Sequence, residues 1–298
     1  MMKNKDKITK HKCGKVVFMG EPNVGKSSLL NALVGEDVSI VTDMAGTTRE
    51  SVRGFLTSEG WQIIFLDTPG MDNRKDYRDS LAKYMGKSIS NAVAECDVIC
   101  YVLEATDVRD EYIQKIRNLQ DKKPLIVVVN KVDRSNFEKL YPHLAKLNGV
   151  GVSVIPVSAK SGENLNVLRD EIIKFLPEGS AIFDADEYTD QSVKKMCGEI
   201  IRGALINNLQ KEIPHGLAVR IVKFAEANKE VDINAEILCK KPSHKPIIIG
   251  KKGAVLKAVG IEARKKIEEL VGKHVRLNTH VLVKENWRES GSVEEFLG

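Results

Sequence analysis

Residues 20–28 read Gly20-Glu21-Pro22-Asn23-Val24-Gly25-Lys26-Ser27-Ser28, a match to GxxxxGK[ST]. Its flanks make it decisive. Residues 15–20 form a short apolar run ending at glycine, and residues 26–34 are amphipathic at helical spacing. Strand, turn and helix in that order point the open N–H groups of a helix start at the turn, where the glycines let the backbone wrap phosphate oxygens. Lys26 would reach the β and γ phosphates of a nucleotide, and Ser27 would ligate magnesium. Further apolar runs at 62–66, 98–103, 125–129 and 152–156 are separated by helix-length segments. Strands apolar on successive residues are buried on both faces, so the sequence predicts an α/β fold with a doubly wound, mostly parallel sheet.

The ends of those strands carry chemistry. Asp67-Thr68-Pro69-Gly70 follows the second run. Asp67 would hold the magnesium through water, and the Gly70 amide would sense the γ-phosphate. Thr47-Thr48-Arg49 lies between these motifs, and Thr48 is expected to be the switch threonine that completes the metal shell when the γ-phosphate is present. Asn130-Lys131-Val132-Asp133 follows the run at 125–129. The Asp133 carboxylate can accept two hydrogen bonds from guanine, a donor face that adenine lacks, which selects GTP and GDP over adenine nucleotides. Ser158-Ala159-Lys160 follows the next strand and would bring the Ala159 amide near guanine O6. Each motif alone is weak. Their order and spacing together are specific.

Composition sets the frame. The 298 residues suit two domains by the rough 150-residue prior, and hydrophobic content of 42% with charged content of 29% is that of a folded chain. No apolar run approaches the roughly 20 residues that cross a bilayer, and no apolar stretch follows the early lysines as a signal peptide requires. Five cysteines without a CxxC pair argue for buried thiols in a reducing cytosol over a disulfide framework or a zinc site. Net charge is only +5, but residues 240–257 hold six lysines and no acid around a Gly-Lys-Lys-Gly turn. Such a patch suits nucleic acid or simply a solvated face.

The pattern changes after Pro177-Glu178-Gly179. Residues 1–14 read as a flexible basic N-terminus, 15–177 as the nucleotide domain, 178–189 as a linker and 190–298 as a second domain. In the second, a helix from 189 or 190 to about 210 precedes strands at 217–224 and 231–239. A short apolar segment at 247–249, a Gly250-Lys251-Lys252-Gly253 turn, a helix from about 261 to 271 and a strand at 275–284 complete it. Helix, strand, strand, helix, helix, strand is the order of a smaller α+β domain of type II KH topology, whose GxxG loop clamps single-stranded RNA backbone. The expected RNA contacts are Ile248, Ile249, Gly250, Lys251, Lys252, Gly253 and Lys257, with Val255 and the strand near Leu238 lining an apolar groove.

Residues 15–176 resemble the P-loop GTPases, and GEPNVGKSS with AGTTR resembles the translation-factor-related branch that contains Era, EngA and MnmE. A GTPase followed by one KH domain is similar to the Era family over nearly the whole chain. EngA would carry two GTPase domains, and MnmE a preceding folate-type domain and a helical insertion. In this branch an apolar residue, here Met71, follows DTPG where Ras-like proteins carry a water-positioning glutamine. The resemblance implies that a potassium ion, held partly by Asn23 and partly by backbone of the loop before Thr47, supplies charge at the transition state. Asn23, Lys26, Thr48 and Gly70 are then the catalytic set.

The resemblance further implies a GTP-hydrolysing switch that holds the 3′ end region of 16S-type rRNA and assists small ribosomal subunit assembly, as a cytoplasmic monomer that does not act on DNA. The rival reading is a nucleotide-gated adaptor on protein partners or peripherally at the inner membrane surface, where the lysines would meet anionic headgroups. A tRNA-modifying GTPase is a third, for which no nucleophile or second cofactor site is found.

Overall fold

The structure, a computed structural model, describes residues 11–70, 80–210, 212–285 and 287–289. Met71 and Lys3, Lys5, Lys7 and Lys10 of the basic N-terminus lie outside the described residues. Two compact units are present. One holds the described residues within Met1–Ser39, Ser51–Met71 and Ile89–Asp190, the other those within Ile40–Glu50, Asp72–Ser88 and Gln191–Gly298.

The first unit is built on six strands: β1 (Lys12–Met19), β2 (Val52–Ser58), β3 (Trp61–Asp67), β4 (Val98–Glu104), β5 (Leu125–Asn130) and β6 (Ser153–Pro156). Their spatial order is β2-β3-β1-β4-β5-β6, parallel except for the β2–β3 hairpin. The helices are α1 (Lys26–Val34), α2 (Ser80–Glu95), of which only residues 89–95 belong to this unit, α3 (Asp110–Gln120), α4 (Phe137–Asn148) and α5 (Leu165–Phe175). Successive strand residues face opposite layers, which is why the strands read as unbroken apolar runs. Val16, Phe18, Ile63, Phe65, Val98, Cys100 and Val128 pack on one side with Leu29 and Leu30 of α1 and Leu168 and Ile172 of α5. Val17, Ile64, Leu66, Ile99, Tyr101 and Val127 pack on the other with Tyr112 and Ile116 of α3. Each such side chain contributes about 1.5–3 kcal/mol by leaving water.

Three expectations change here. Strand β2 is not legible as a strand in the sequence, because Arg53, Gly54 and Thr57 break its apolar run. The basic arm ends sooner than residue 14: β1 begins at Lys12, whose Nζ donates to the carbonyls of Ile173 (2.8 Å) and Lys174 (3.1 Å) at the end of α5. The segment expected as a linker is fastened along the sheet edge. Gln62 Oε1 accepts from the amides of Ile182 (2.7 Å) and Phe183 (3.1 Å), Phe183 stacks on Phe55, and the Phe55 amide donates to the Tyr188 carbonyl. It covers strand N–H and C=O groups that an open edge would expose.

The second unit contains α6 (Val193–Asn208), β7 (Leu217–Glu226), β8 (Glu230–Cys239), α7 (His244–Ile249), α8 (Ala254–Val271) and β9 (His274–Val283). The sheet order is β7-β8-β9, with β7 antiparallel and β9 parallel to β8, the type II KH arrangement expected. Helix α6 starts at Val193, not at 189 or 190, because Ser192 is its N-cap and accepts from the Lys195 amide at 3.2 Å. Helix α8 begins at Ala254, earlier than the sequence suggests, since Gly260 interrupts the apolar periodicity without breaking the helix. Cys197, Ile201, Leu205, Ile233, Ile237, Val259, Ala263 and Ile267 form the core of this unit. All five cysteines of the chain are buried thiols.

Candidate nucleotide and RNA sites

Helix α1 begins directly after the P-loop, and its N-cap is Gly25, which brings no capping side chain. With no acid in the first turn either, the positive dipole end of the helix carries no negative side chain of its own, which suits an anionic ligand. Gly25 is held at φ 94°, and a Cβ there would collide with the Asn130 carboxamide. Asn23, at φ 64°, is an exposed residue on the same turn.

Lys26 is buried, and its Nζ donates to the carbonyls of Glu21 (2.9 Å) and Gly20 (3.3 Å). Burial lowers its pKa to about 8, against the opposing pull of Asp67 and Glu21. A polyphosphate would return full charge to this ammonium. The Glu21 carboxylate is paired with Arg109 (3.0 Å), so this acid beside an anion site is neutralised locally.

Ser27 Oγ donates to Asp67 Oδ2 at 2.6 Å. A hydroxyl and a carboxylate side by side at the P-loop are the hard oxygen donors that magnesium takes in one or two copies alongside phosphates. Among the described residues no group of three His, Cys, Asp or Glu gathers as a dedicated metal cage. Gly70 lies against the P-loop, where a Cβ would come within 2.7 Å of Pro22 Cα. Thr68, expected among the nucleotide contacts, turns inward: its hydroxyl is buried and donates to the Phe18 carbonyl at 2.8 Å, which secures the strand end instead.

The base-reading motifs meet at Asn130. Its Nδ2 donates to the Val24 carbonyl at 2.9 Å and its Oδ1 accepts from the Ala159 amide at 3.1 Å. The amide read for guanine O6 is thus turned to Asn130 here. Ser158 Oγ donates to Asp133 Oδ1 at 2.7 Å, orienting that carboxylate, while Lys160 is exposed. Lys131 pairs with Glu104 at 2.7 Å, a partner at the end of β4 that no motif names.

Thr48 lies in the second unit, on the segment Ile40–Glu50. Arg202 donates to the Thr47 carbonyl at 2.6 Å, and Arg49 donates to the Leu217 carbonyl at 2.6 Å with its guanidinium 5.4 Å from the Trp287 ring centre. Glu50 pairs with Lys195 and accepts from Tyr84 Oη at 2.8 Å. The sequence carries no sign of this fastening.

In the KH unit the Gly250–Gly253 turn joins α7 to α8, with Lys252 in the left-handed region at φ 53°. Lys251, Lys252 and Lys257 are exposed. Two expectations are corrected. The Ile248 side chain is 0% exposed and belongs to the core, whereas its neighbour Ile247 is 51% exposed. Leu238 packs with Leu81, Ala218 and Trp287 in a separate cluster and is not available as groove lining.

Residues 15–131 match the family model for 50S ribosome-binding GTPases, and residues 212–288 match a KH domain. The chain is 39% identical over 296 residues to GTPase Era of Alkaliphilus metalliredigens, covering 97% of this chain and 99% of that protein. It is 38% identical to GTPase Era of Leuconostoc citreum, with 96% of each covered. The chain belongs to the Era family of GTPases. A tyrosine-to-alanine variant of Era from Aquifex aeolicus, bound to GDP and AlF4⁻, superposes with a TM-score of 0.90 at 36% identity, covering 96% of this chain and 98% of that one. An Era complex with MgGDPNP and nucleotides 1506–1542 of 16S ribosomal RNA matches equally, at 36% identity, TM-score 0.90 and the same coverage. Like its Era relatives, the chain is a GTPase joined to a KH domain. Among the described residues, no helix is long and apolar enough to cross a membrane.

Proposed function

We propose that this GTPase is a switch that holds small-subunit rRNA near its 3′ end on its KH unit and serves assembly of the small ribosomal subunit. The observation that carries the reading is the match, across 96% of the chain, to an Era complex containing both MgGDPNP and a 16S rRNA segment. One polypeptide thus carries both an uncapped helix start beside Lys26 and an exposed Gly-Lys-Lys-Gly turn.

Lys26 and the α1 amides bind the β and γ phosphates and offset charge that grows on the phosphoryl oxygens as water attacks and GDP leaves. Ser27, Asp67 and Thr48 are the residues that would hold magnesium. The ion they would hold would supply positive charge against the phosphate oxygens. The Gly70 amide donates to the γ-phosphate, so its contact exists only before hydrolysis. Asn23 is the side chain that would hold potassium beside the phosphates; hydrolysis at equal rates in potassium and sodium would remove that role. Asp133 selects guanine. On the KH unit, Gly250 and Gly253 let RNA phosphates approach backbone, with Lys251, Lys252 and Lys257 screening their charge. The protein acts as a cytoplasmic monomer in this reading.

Crosslinking in cells followed by mapping of bound nucleotides tests it directly: the expected sites lie at the 3′ end of the small-subunit rRNA. Binding of that RNA in vitro should weaken with salt, and K251A/K252A should flatten the slope by about 0.7 for each phosphate the variant no longer neutralises. Crosslinks scattered without base preference, or affinity for anionic vesicles equal to that for RNA, would favour the membrane adaptor.

A further inference from the structure

Asp67 Oδ2 accepts from two hydroxyls. Ser27 Oγ is one, and Ser39 Oγ, 2.9 Å away, is the other. Ser39 belongs to no nucleotide-binding motif. It is nonetheless buried, as is Asp67, and one side chain fixes its backbone on both sides. Asn31 Oδ1 accepts from the amides of Val38 (3.1 Å) and Ser39 (2.9 Å), and Asn31 Nδ2 donates to the Ser39 carbonyl at 2.8 Å. Asn31 stands four residues after Ser27 on α1, so the metal-side hydroxyl and the clamp lie on one face of one helix.

We propose that Ser39 is a positioning residue for the metal carboxylate: with Ser27 it fixes the rotamer of Asp67, and Asn31 fixes Ser39. The proposal rests on the magnesium nucleotide reading above and adds a residue outside its motifs. The physical basis is that a carboxylate held by two donors on one oxygen has its plane set, so the direction in which it meets a metal-bound water is set before the metal arrives. Outer partners of this kind commonly carry about 10–100-fold of metal affinity. In the chain, Ser39 directly precedes Ile40–Glu50, the segment bearing Thr48.

The test is the magnesium dependence of GDP binding, measured with a fluorescent GDP over a magnesium titration and again in EDTA. Ser39→Ala is expected to raise the magnesium concentration for half-maximal tight binding by about tenfold, while leaving GDP affinity in EDTA unchanged. Ser39→Thr, which keeps the hydroxyl, is expected to restore the wild-type midpoint. An unchanged midpoint in Ser39→Ala overturns the proposal. So does an equal loss of affinity in EDTA, which would make Ser39 a general prop of the P-loop. If Ser39→Ala does not fold, the midpoint of Asn31→Ala decides in its place. A wild-type protein whose GDP affinity ignores magnesium overturns the nucleotide-site reading itself, and is told apart because the variant is not needed to see it.

Discussion

The Asn130 carboxamide donates to the carbonyl of Val24 across 2.9 Å, joining the end of β5 to the middle of the P-loop. Two motifs more than a hundred residues apart in sequence are one rigid object at this point. Asn130 is buried and accepts the Ala159 amide as well, so it holds the phosphate and base ends of the site in register.

Asn130→Ala therefore leaves a buried carbonyl and a half-buried amide without their partner. Each such vacancy costs about 1–3 kcal/mol. Thermal unfolding of the variant is expected to shift down accordingly, and GTP and GDP affinity to fall together, because the damage is to the frame shared by both.

Asp133 decides the base. Asp133→Asn replaces one of two acceptors by a donor, which faces guanine's own donors. GTP affinity is expected to fall by about a hundredfold or more, and affinity for xanthosine triphosphate, with a carbonyl where guanine has its amino group, to rise. Competition binding with the two nucleotides measures the exchange. Fluorescent GTP binding unchanged in the variant would place the base elsewhere.

Lys26 links binding to protons. Its pKa is lowered to about 8 from 10.5 by burial, and bound phosphates favour the charged form. At a pH of about 8.5 a large fraction of the nucleotide-free protein has a neutral Lys26, so GDP binding is expected to take up protons. At a pH of about 6.5 the group is already charged and this uptake vanishes. Calorimetry in buffers of different ionisation enthalpy reads the difference. The sign for stability follows from the depressed folded-state pKa. Between about 8 and 10.5 the unfolded chain binds the extra proton, so this group makes the nucleotide-free protein more stable as pH rises through that window.

Arg49 is the pin of the segment that carries Thr48. Arg49→Ala removes its bond to the Leu217 carbonyl and its packing over Trp287, together worth about 1–3 kcal/mol. Trp287 is buried and its Nε1 donates to the Gly216 carbonyl, so its emission is expected to shift red in the variant as water reaches the ring. The chain has one other tryptophan, Trp61, and a Trp61→Phe background isolates the signal.

Much of the nucleotide site is legible in the sequence because phosphate chemistry is local. A glycine-rich turn, a lysine and a serine act where they stand in the chain, and a strand before with a helix after is enough to orient them. Ser39, Asn31 and Glu104 are not legible in that way. Each acts through a partner brought near only by folding: Asp67 for Ser39, the 38–39 backbone for Asn31, Lys131 for Glu104. Thr68 and Ile248 show the converse. Both sit inside motifs, yet side-chain direction, which alternates along a strand end and turns by about 100° per helical residue, sends one hydroxyl and one alkyl group into the interior.

The amino-acid order alone pointed to the doubly wound sheet and the KH element order through periodicity, to a guanine nucleotide through short-range motif spacing, and to the family through the likeness of those motifs to known GTPases. Only tertiary structure decided that the Thr48 segment is fastened by Arg49 and Arg202 within the KH unit, and that residues 182–189 close a sheet edge. Those outcomes depend on which buried carbonyls and amides come within hydrogen-bond reach after folding, and no local pattern of residue types encodes that distance.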